Sequence, residues 1–349
     1  MRGGGGGFLV ALYGMAFTPN GKETFCKEIL IPPLVAVTSL KRSNGDTNEV
    51  LSRHDYADSL PVTYTNDAMA AQIWVDQHIG HRSSADSSSR SISVVGWDME
   101  STPSLPWRKT MYSGPSTVQL SVVDAALVLQ IAREDIGPYW ENLPFLSDIL
   151  SNPSILKVGV GLDQDILDLI RWPHGKEGQD PKAIWGPVVG RLDIGGIGAS
   201  YGYTKSLKLL AQDICGVELE KSRKIAMSNW AASSPPQLSD KQLAYAARDA
   251  WASAAIIHEL ARRDPDQFST EVLMTRVLEG EMPIELLNTN SLARKEAKTK
   301  LKMILTDKDG NKVDRKSLSI DQLEDASKLE AIMKKLASPK PFLFELMDT

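Results

Sequence analysis

Between residues 91 and 262 the hydrophobic period switches repeatedly between that of a strand and that of a helix, and few folds satisfy such an alternation. SISVVGWDME at 91–100 is β-branched and apolar. VQLSVV at 118–123 and ALVLQI at 126–131 follow, split by Asp124 and Ala125 at hairpin spacing. LPFLSDILS at 143–151 has helical spacing, ILKVGVG at 155–161 reads as a short buried strand, and DQDILDLIRW at 163–172 returns to the helical period. After a Pro- and Gly-rich excursion at 172–190, RLDI predicts a fifth strand, helical runs follow at 194–200 and 206–215, and a long helix spans 238–262. A hairpin requires antiparallel strands and helical crossovers favour parallel ones, so this order predicts an α/β fold with a mixed sheet.

The flanks have other textures. Residues 1–65 lack a clear period, and RSSADSSSRS at 82–91 is a serine run expected to act as a linker. Beyond 281, ILTDKDGNKV carries an Asp-Gly-Asn turn, and 318–336 is patterned as an amphipathic helix with Ser319 or Asp321 as its cap. The expected organisation is an N-terminal extension with linker at 1–90, a central domain at 91–265 and a Lys-rich C-terminal extension at 266–349. With 349 residues, 42% of them apolar, the chain can build a proper core. A net charge of −5 argues against a basic coat over the whole surface, so any nucleic-acid contact is expected to be local. Cys26 and Cys215 are far apart and have no Cys or His beside them, which argues against a disulfide framework or a zinc site and fits a reducing, intracellular compartment. The first 17 residues join one arginine and a glycine run to an apolar stretch too short to span a membrane. The acids that follow, Glu23, Glu28 and Asp46, weigh against a targeting segment and favour an edge strand or a plain extension.

Asp98 and Glu100 lie two apart at the end of a predicted strand, so both carboxylates project from one face, where the sites of open α/β sheets collect. Asp165 falls in the first turn of the helix after the strand at 155–161; Asp163 and Asp168 compete with it, and a helix N-terminus attracts acids through its dipole alone. Asp249 lies on the long helix, with Tyr245 one turn earlier on the same face. Four acids from three elements can therefore converge. An all-carboxylate set suits Mg²⁺ or Mn²⁺ rather than zinc. Like charges in one pocket repel unless cations fill it, and two divalent ions would also clamp the attacking and leaving oxygens of an in-line phosphoryl displacement. The Tyr245 hydroxyl would then orient the attacking water or help deprotonate it.

WDME at 97–100, LKVGVGLDQD at 156–165 and SNWAASSPPQLSDKQLAYAARDAWAS at 228–253 resemble the three exonuclease motifs of the DEDD superfamily in its tyrosine-type branch, most of all the Werner-syndrome-type 3′-5′ exonuclease domain. SLKLLAQDICGVELEKSRKIAMSNW at 206–230 is similar to a segment typical of that family, and the likeness covers roughly residues 90–262. The resemblance implies an RNase H-like fold, a five-stranded mixed sheet flanked by helices. It implies Asp98, Glu100, Asp165 and Asp249 as ligands of two Mg²⁺ or Mn²⁺ ions and Tyr245 as the residue that names the branch; Ala244 stands where the histidine-type branch has its histidine. It also implies a nucleic acid, DNA or RNA, with a free 3′ end as substrate, no membrane, an intracellular location with the nucleus preferred and the cytoplasm or an organelle as alternatives, and room for a helicase or other nucleic-acid-processing partner encoded elsewhere. A nuclease-like binding module or scaffold without catalysis is the alternative, and the presence of all five expected side chains weighs against it. The stretch at 172–190 is longer than the family pattern leads one to expect.

Other features point less far. His54, His78, His81, His174 and His258 show no spacing that pairs ligands, Gly159 and Gly161 suit a sharp strand-to-helix turn better than a phosphate cradle, and strand alternation sends Trp97 to the core face. Trp251 could stack a base but suits burial better. Residues 291–340 carry 13 Lys/Arg against 8 Asp/Glu, and Lys295, Lys298, Lys300 and Lys302 form a run able either to follow a phosphate backbone or to serve as a solvated face.

Overall fold

The computed structural model describes residues 10–17, 23–32, 35–36, 59–79, 92–104, 112–135, 137–138, 143–171, 185, 187–195, 206–233, 238–280 and 325–328. Lys295, Lys298, Lys300 and Lys302, the serine run at 82–91 and the Asp-Gly-Asn turn lie outside them. The chain divides into two compact units, Met1–Glu281 and Met282–Thr349. In the second, residues 325–328 form a helical turn with Ala326 buried.

The first unit is built on one mixed sheet. Its strands are β1 (Val10–Phe17), β2 (Glu23–Ile31), β3 (Leu60–Thr65), β4 (Ser93–Thr102), β5 (Gly114–Ser121), β6 (Ala126–Gln130), β7 (Ile155–Gly159) and β8 (Arg191–Asp193). Their order across the sheet is β1-β2-β3-β6-β5-β4-β7-β8. β5 runs antiparallel to both β4 and β6, whereas β7 and β8 are parallel to β4. This mixed arrangement with helical crossovers is the RNase H-like pattern, and the five strands expected from the hydrophobic runs make up its half from β6 to β8.

The expected count of five is nonetheless too small, because the sheet has eight strands. The residues read as an extension supply the other three: β1 pairs antiparallel with β2, β2 antiparallel with β3, and β3 parallel with β6 through Val62↔Ala126. The missing periodicity has a physical reason. The inward positions of β2 are Phe25, Lys27, Ile29 and Ile31, so a lysine interrupts the apolar alternation; its ammonium pairs with Asp240 at 3.2 Å. In β3, Thr63 and Thr65 are buried beside Val62 and Tyr64, which hides the strand in the same way.

Helices cover the sheet. They are α1 (Ala68–His78), α2 (Pro144–Ser151), α3 (Leu162–Arg171), α4 (Leu207–Leu210), α5 (Arg223–Ala226), α6 (Asp240–Arg263) and α7 (Thr270–Gly280), with a π turn at Ala211–Cys215 after α4 and a short helical turn at Pro265–Phe268 before α7. Among the described residues no helix is long and apolar enough to cross a membrane. α6 begins with a capping box, Ser239 bonding the Gln242 amide while the Gln242 side chain returns to the Ser239 amide. Its inner face is alanine-rich: Ala246, Ala247, Ala250, Ala254 and Ala255 are all fully buried, and their small size brings the helix axis close to the sheet. The approach is closest at Gly96 of β4, where a Cβ would stand 1.9 Å from the Ala250 carbonyl oxygen. Only glycine fits there. At the opposite end of the strands the buried Lys157 donates to the Ile149 and Asn152 carbonyls, both at 3.1 Å, and so satisfies the C-terminus of α2.

Candidate active site

β4 is buried on both faces from Ser93 to Trp97 and opens to partial exposure from Asp98 to Glu100. The strand thus carries the two acids out of the core together. The Gly96–Ala250 contact sets α6 against the same stretch, and Asp249, the neighbour of Ala250, faces Asp98 and Glu100. One carboxylate oxygen from each of Asp98, Glu100 and Asp249 can be chosen such that all lie within 4.8 Å of one another. Asp165 comes from the first turn of α3, after a turn at Gly161 whose φ of 77° lies in the left-handed region. Its neighbours divide the roles that sequence left in competition. Asp163 pairs with Arg191 at 2.8 Å, and Asp168 accepts from Gln164 at 2.7 Å. The Asp165 carboxyl instead acts on Asp98 and Glu100.

The electrostatics follow from burial without enough positive charge. Desolvation, then Asp249, pushes Asp98 up to about 7. Desolvation, then Asp98 and Asp249, pushes Glu100 up to about 9; desolvation, then Asp98, Asp168 and Asp193, does the same for Asp165. Burial also raises Asp249, against the pull of Lys221 and of hydrogen bonds from Lys221 and Tyr245. Burial, then Asp249, moves the Tyr245 phenol well above its ordinary range. Carboxyls driven this far from their ordinary values by desolvation and, behind it, by neighbouring acids, arranged as a compact all-oxygen donor set, fit a hard divalent cation.

Two further residues belong to this site, and sequence reasoning did not single them out. Lys221 places Nζ 2.5 Å from Asp249 Oδ2 and 5.2 Å from the centre of the Tyr245 ring. In sequence it sits in the run EKSRK, which reads as a solvated basic patch. Asp193, at the end of β8, accepts from the Gly161 and Gly195 amides and adds its charge beside Asp165. Its signal was its place at a strand end, the same as for Asp98. The loop before α6 is also held: Gln242 donates to Ser228 Oγ and the Asn229 carbonyl, Ala231 donates to Thr102 Oγ1, and Glu134 accepts from Asn229 and Ser233. Trp230 is thereby fixed with its ring 6.2 Å from that of Tyr245. Trp97 and Trp251 are buried, the latter donating to the Val123 carbonyl.

The model of a 3′-5′ exonuclease family matches residues 83–263. Mouse Exonuclease 3′-5′ domain-containing protein 2 is 38% identical over 120 residues, which are 33% of this chain and 16% of that protein. Mouse Bifunctional 3′-5′ exonuclease/ATP-dependent helicase WRN is 29% identical over 194 residues, 55% of this chain and 12% of that protein. The chain spans less than a fifth of the length of either relative. Among solved structures, the Nibbler EXO domain of Aedes aegypti aligns with 54% of this chain and 87% of its own, at 19% identity and a TM-score of 0.40.

Proposed function

The chain belongs to the 3′-5′ exonuclease family, and from that premise we propose that it hydrolyses phosphodiester bonds stepwise from the 3′ end of a nucleic acid, releasing nucleoside 5′-monophosphates. The observation that carries this reading is the convergence of Asp98, Glu100 and Asp249 within 4.8 Å at the end of β4. Together with Asp165 they would hold two divalent ions, Mg²⁺ or Mn²⁺. When bound, such ions supply the Lewis acid and lower the pKa of a water.

The protein's own part is positional. The paired acids of β4 and the acid of α6 are fixed to rigid elements by a backbone contact, so the donor set needs little rearrangement before reaction. The Tyr245 hydroxyl, hydrogen-bonded to Asp249, stands where it can orient the attacking water. Its raised pKa suits it to donate and direct a hydrogen bond rather than to act as a base. This role for Tyr245 is what the tyrosine-type assignment requires. A scaffold without catalysis has no need to gather four acids, one buried and three half-buried, whose pKa values desolvation raises. DNA and RNA share the scissile bond, so both enter as substrates. The relative whose name joins exonuclease and helicase makes a strand-opening activity the fitting partner, in the same protein or another.

The test is a strand labelled at its 5′ end, offered as DNA and as RNA. It should shorten one nucleotide at a time with Mg²⁺ or Mn²⁺ and stay intact with chelator. Internal cleavage, or digestion in the chelator, would refute the reading.

A further inference from the structure

The site gathers four acids, and among the described residues Lys221 is a cation that reaches three of them: its charge acts on Asp98, Glu100 and Asp249. The two partners of the ion pair differ in freedom. The Asp249 side chain is 6% exposed and sits on a long helix pinned to the sheet at Gly96, whereas the Lys221 side chain is 33% exposed. Lys221 lies just before Ser222, the cap of α5, outside any regular element. The carboxylate is fixed and the ammonium can move.

An ammonium 2.5 Å from Asp249 Oδ2 occupies space that a cation bound to that oxygen must use. A divalent ion and an ammonium on one oxygen would also repel each other strongly in a partly buried pocket. Turning about its flexible stem keeps the ammonium close to the face of Tyr245, where it already lies 5.2 Å from the ring centre. Anything bound at the acids through a phosphodiester would bring its negative oxygens to this place. Lysine suits that contact, as a compact point charge with three rotatable donors.

We infer that Lys221 is a surrogate cation: it holds Asp249 and Tyr245 in place before metal arrives, is displaced by the divalent ion, and then pairs with the phosphodiester of the 3′-terminal nucleotide. Metal loading and substrate capture are thus coupled through one side chain. The second half rests on the exonuclease reading; the first half does not.

The exchange is tested on the full chain without nucleic acid. The acylation rate of Lys221 by an amine-reactive reagent, read by peptide mass spectrometry, should rise several-fold on adding Mn²⁺; an unchanged or slower rate overturns the exchange. Lys221→Met, which keeps the stem and removes the charge, should bind Mn²⁺ several-fold more tightly by calorimetry, and equal or weaker binding overturns it as well. Lys221→Gln provides the same comparison if the Met variant fails to fold, judged by circular dichroism. At saturating Mn²⁺, Lys221→Met should raise KM for a labelled oligonucleotide and Lys221→Arg should restore most of it. An unaltered KM and kcat overturn the phosphate contact. A wild-type chain that shows metal-dependent labelling but degrades nothing supports the exchange and refutes the exonuclease reading instead.

Discussion

Helix α6 carries two buried acids ten residues apart, Asp249 and Glu259, and the protein treats them in opposite ways. Both are about 5% exposed. Burial pushes the Glu259 carboxyl up, but Arg262 and Arg263 donate three hydrogen bonds of 2.7–2.9 Å and bring it below its ordinary value. Asp249 shares one lysine with Asp98 and Glu100 and stays raised. A structural carboxylate is thus surrounded by the protein's own cations, whereas the acids proposed to hold divalent ions are, among the described residues, left short of them. Deficiency of charge, rather than burial, is what separates the two ends of the helix.

The sharpest way to break this comparison is to remove each acid in turn. Asp249→Ala should lower kcat/KM on a labelled strand by more than about 100-fold, beyond the loss typical of residues that only support metal ligands. Asp98→Ala should behave alike, and Glu259→Ala should leave the rate within about twofold, since it touches no part of the site. Equal losses at Asp249 and Glu259 would make α6 a scaffold whose acids all act through folding.

Gly96→Ala strikes only the end of α6 that carries Asp249. The added methyl meets the Ala250 carbonyl, so the helix must shift, at an expected cost of about 1–3 kcal/mol in chemical denaturation. The rate should fall by at least about tenfold in the folded variant, because metal-site geometry tolerates little displacement. Retention of full activity would mean that the close approach at Gly96 does not set the position of Asp249.

The two ends should also answer pH in opposite senses. Asp98, Glu100 and Asp165 have folded pKa values raised to about 7, about 9 and about 9. Relative to the unfolded chain their contribution is present at pH 4 and lost as pH rises through 7 to 9. Metal-stripped protein should therefore melt lower at pH 9 than at pH 6, and added Mn²⁺ should raise the melting temperature more at pH 9. Glu259, lowered, contributes above its unfolded pKa and loses that contribution on acidification. The smallest effect expected is Glu259→Gln, which should cost about 0.5–1.5 kcal/mol at pH 7, its arginines being partly solvated, and less at pH 3.

The convergence of acids at the candidate site was legible wherever spacing reflects local geometry. Asp98 and Glu100 are two apart because a strand repeats every two residues, and Tyr245 and Asp249 are four apart because a helix turns in 3.6. Lys221 was not legible, since its partner lies 28 residues away and nothing local sets a lysine of a basic run apart. The strands β4 to β8 announced themselves by apolar runs. β2 and β3 did not, because inward Lys27 is matched by Asp240 and the buried Thr65 hydroxyl by the Phe25 carbonyl, pairings invisible until distant segments meet. The expected boundary near residue 90 followed from that blindness to pairing: texture changes there, but the sheet does not stop.

That continuity of the sheet has a consequence for how the chain comes to be folded. The Lys27–Asp240 pair spans 213 residues, Arg248 donates to the Pro32 carbonyl across 216, and β3 completes its pairing only with β6. During synthesis β2 soon meets both its sheet neighbours, β1 and β3, but the outer edge of β3 waits for β6, and the helix that covers Phe25, Ile29 and Ile31 comes later still. Until those segments arrive β3 keeps one unpaired edge and the apolar face of β2 lacks its cover, so the early strands depend on non-local contacts of the kind that form slowly.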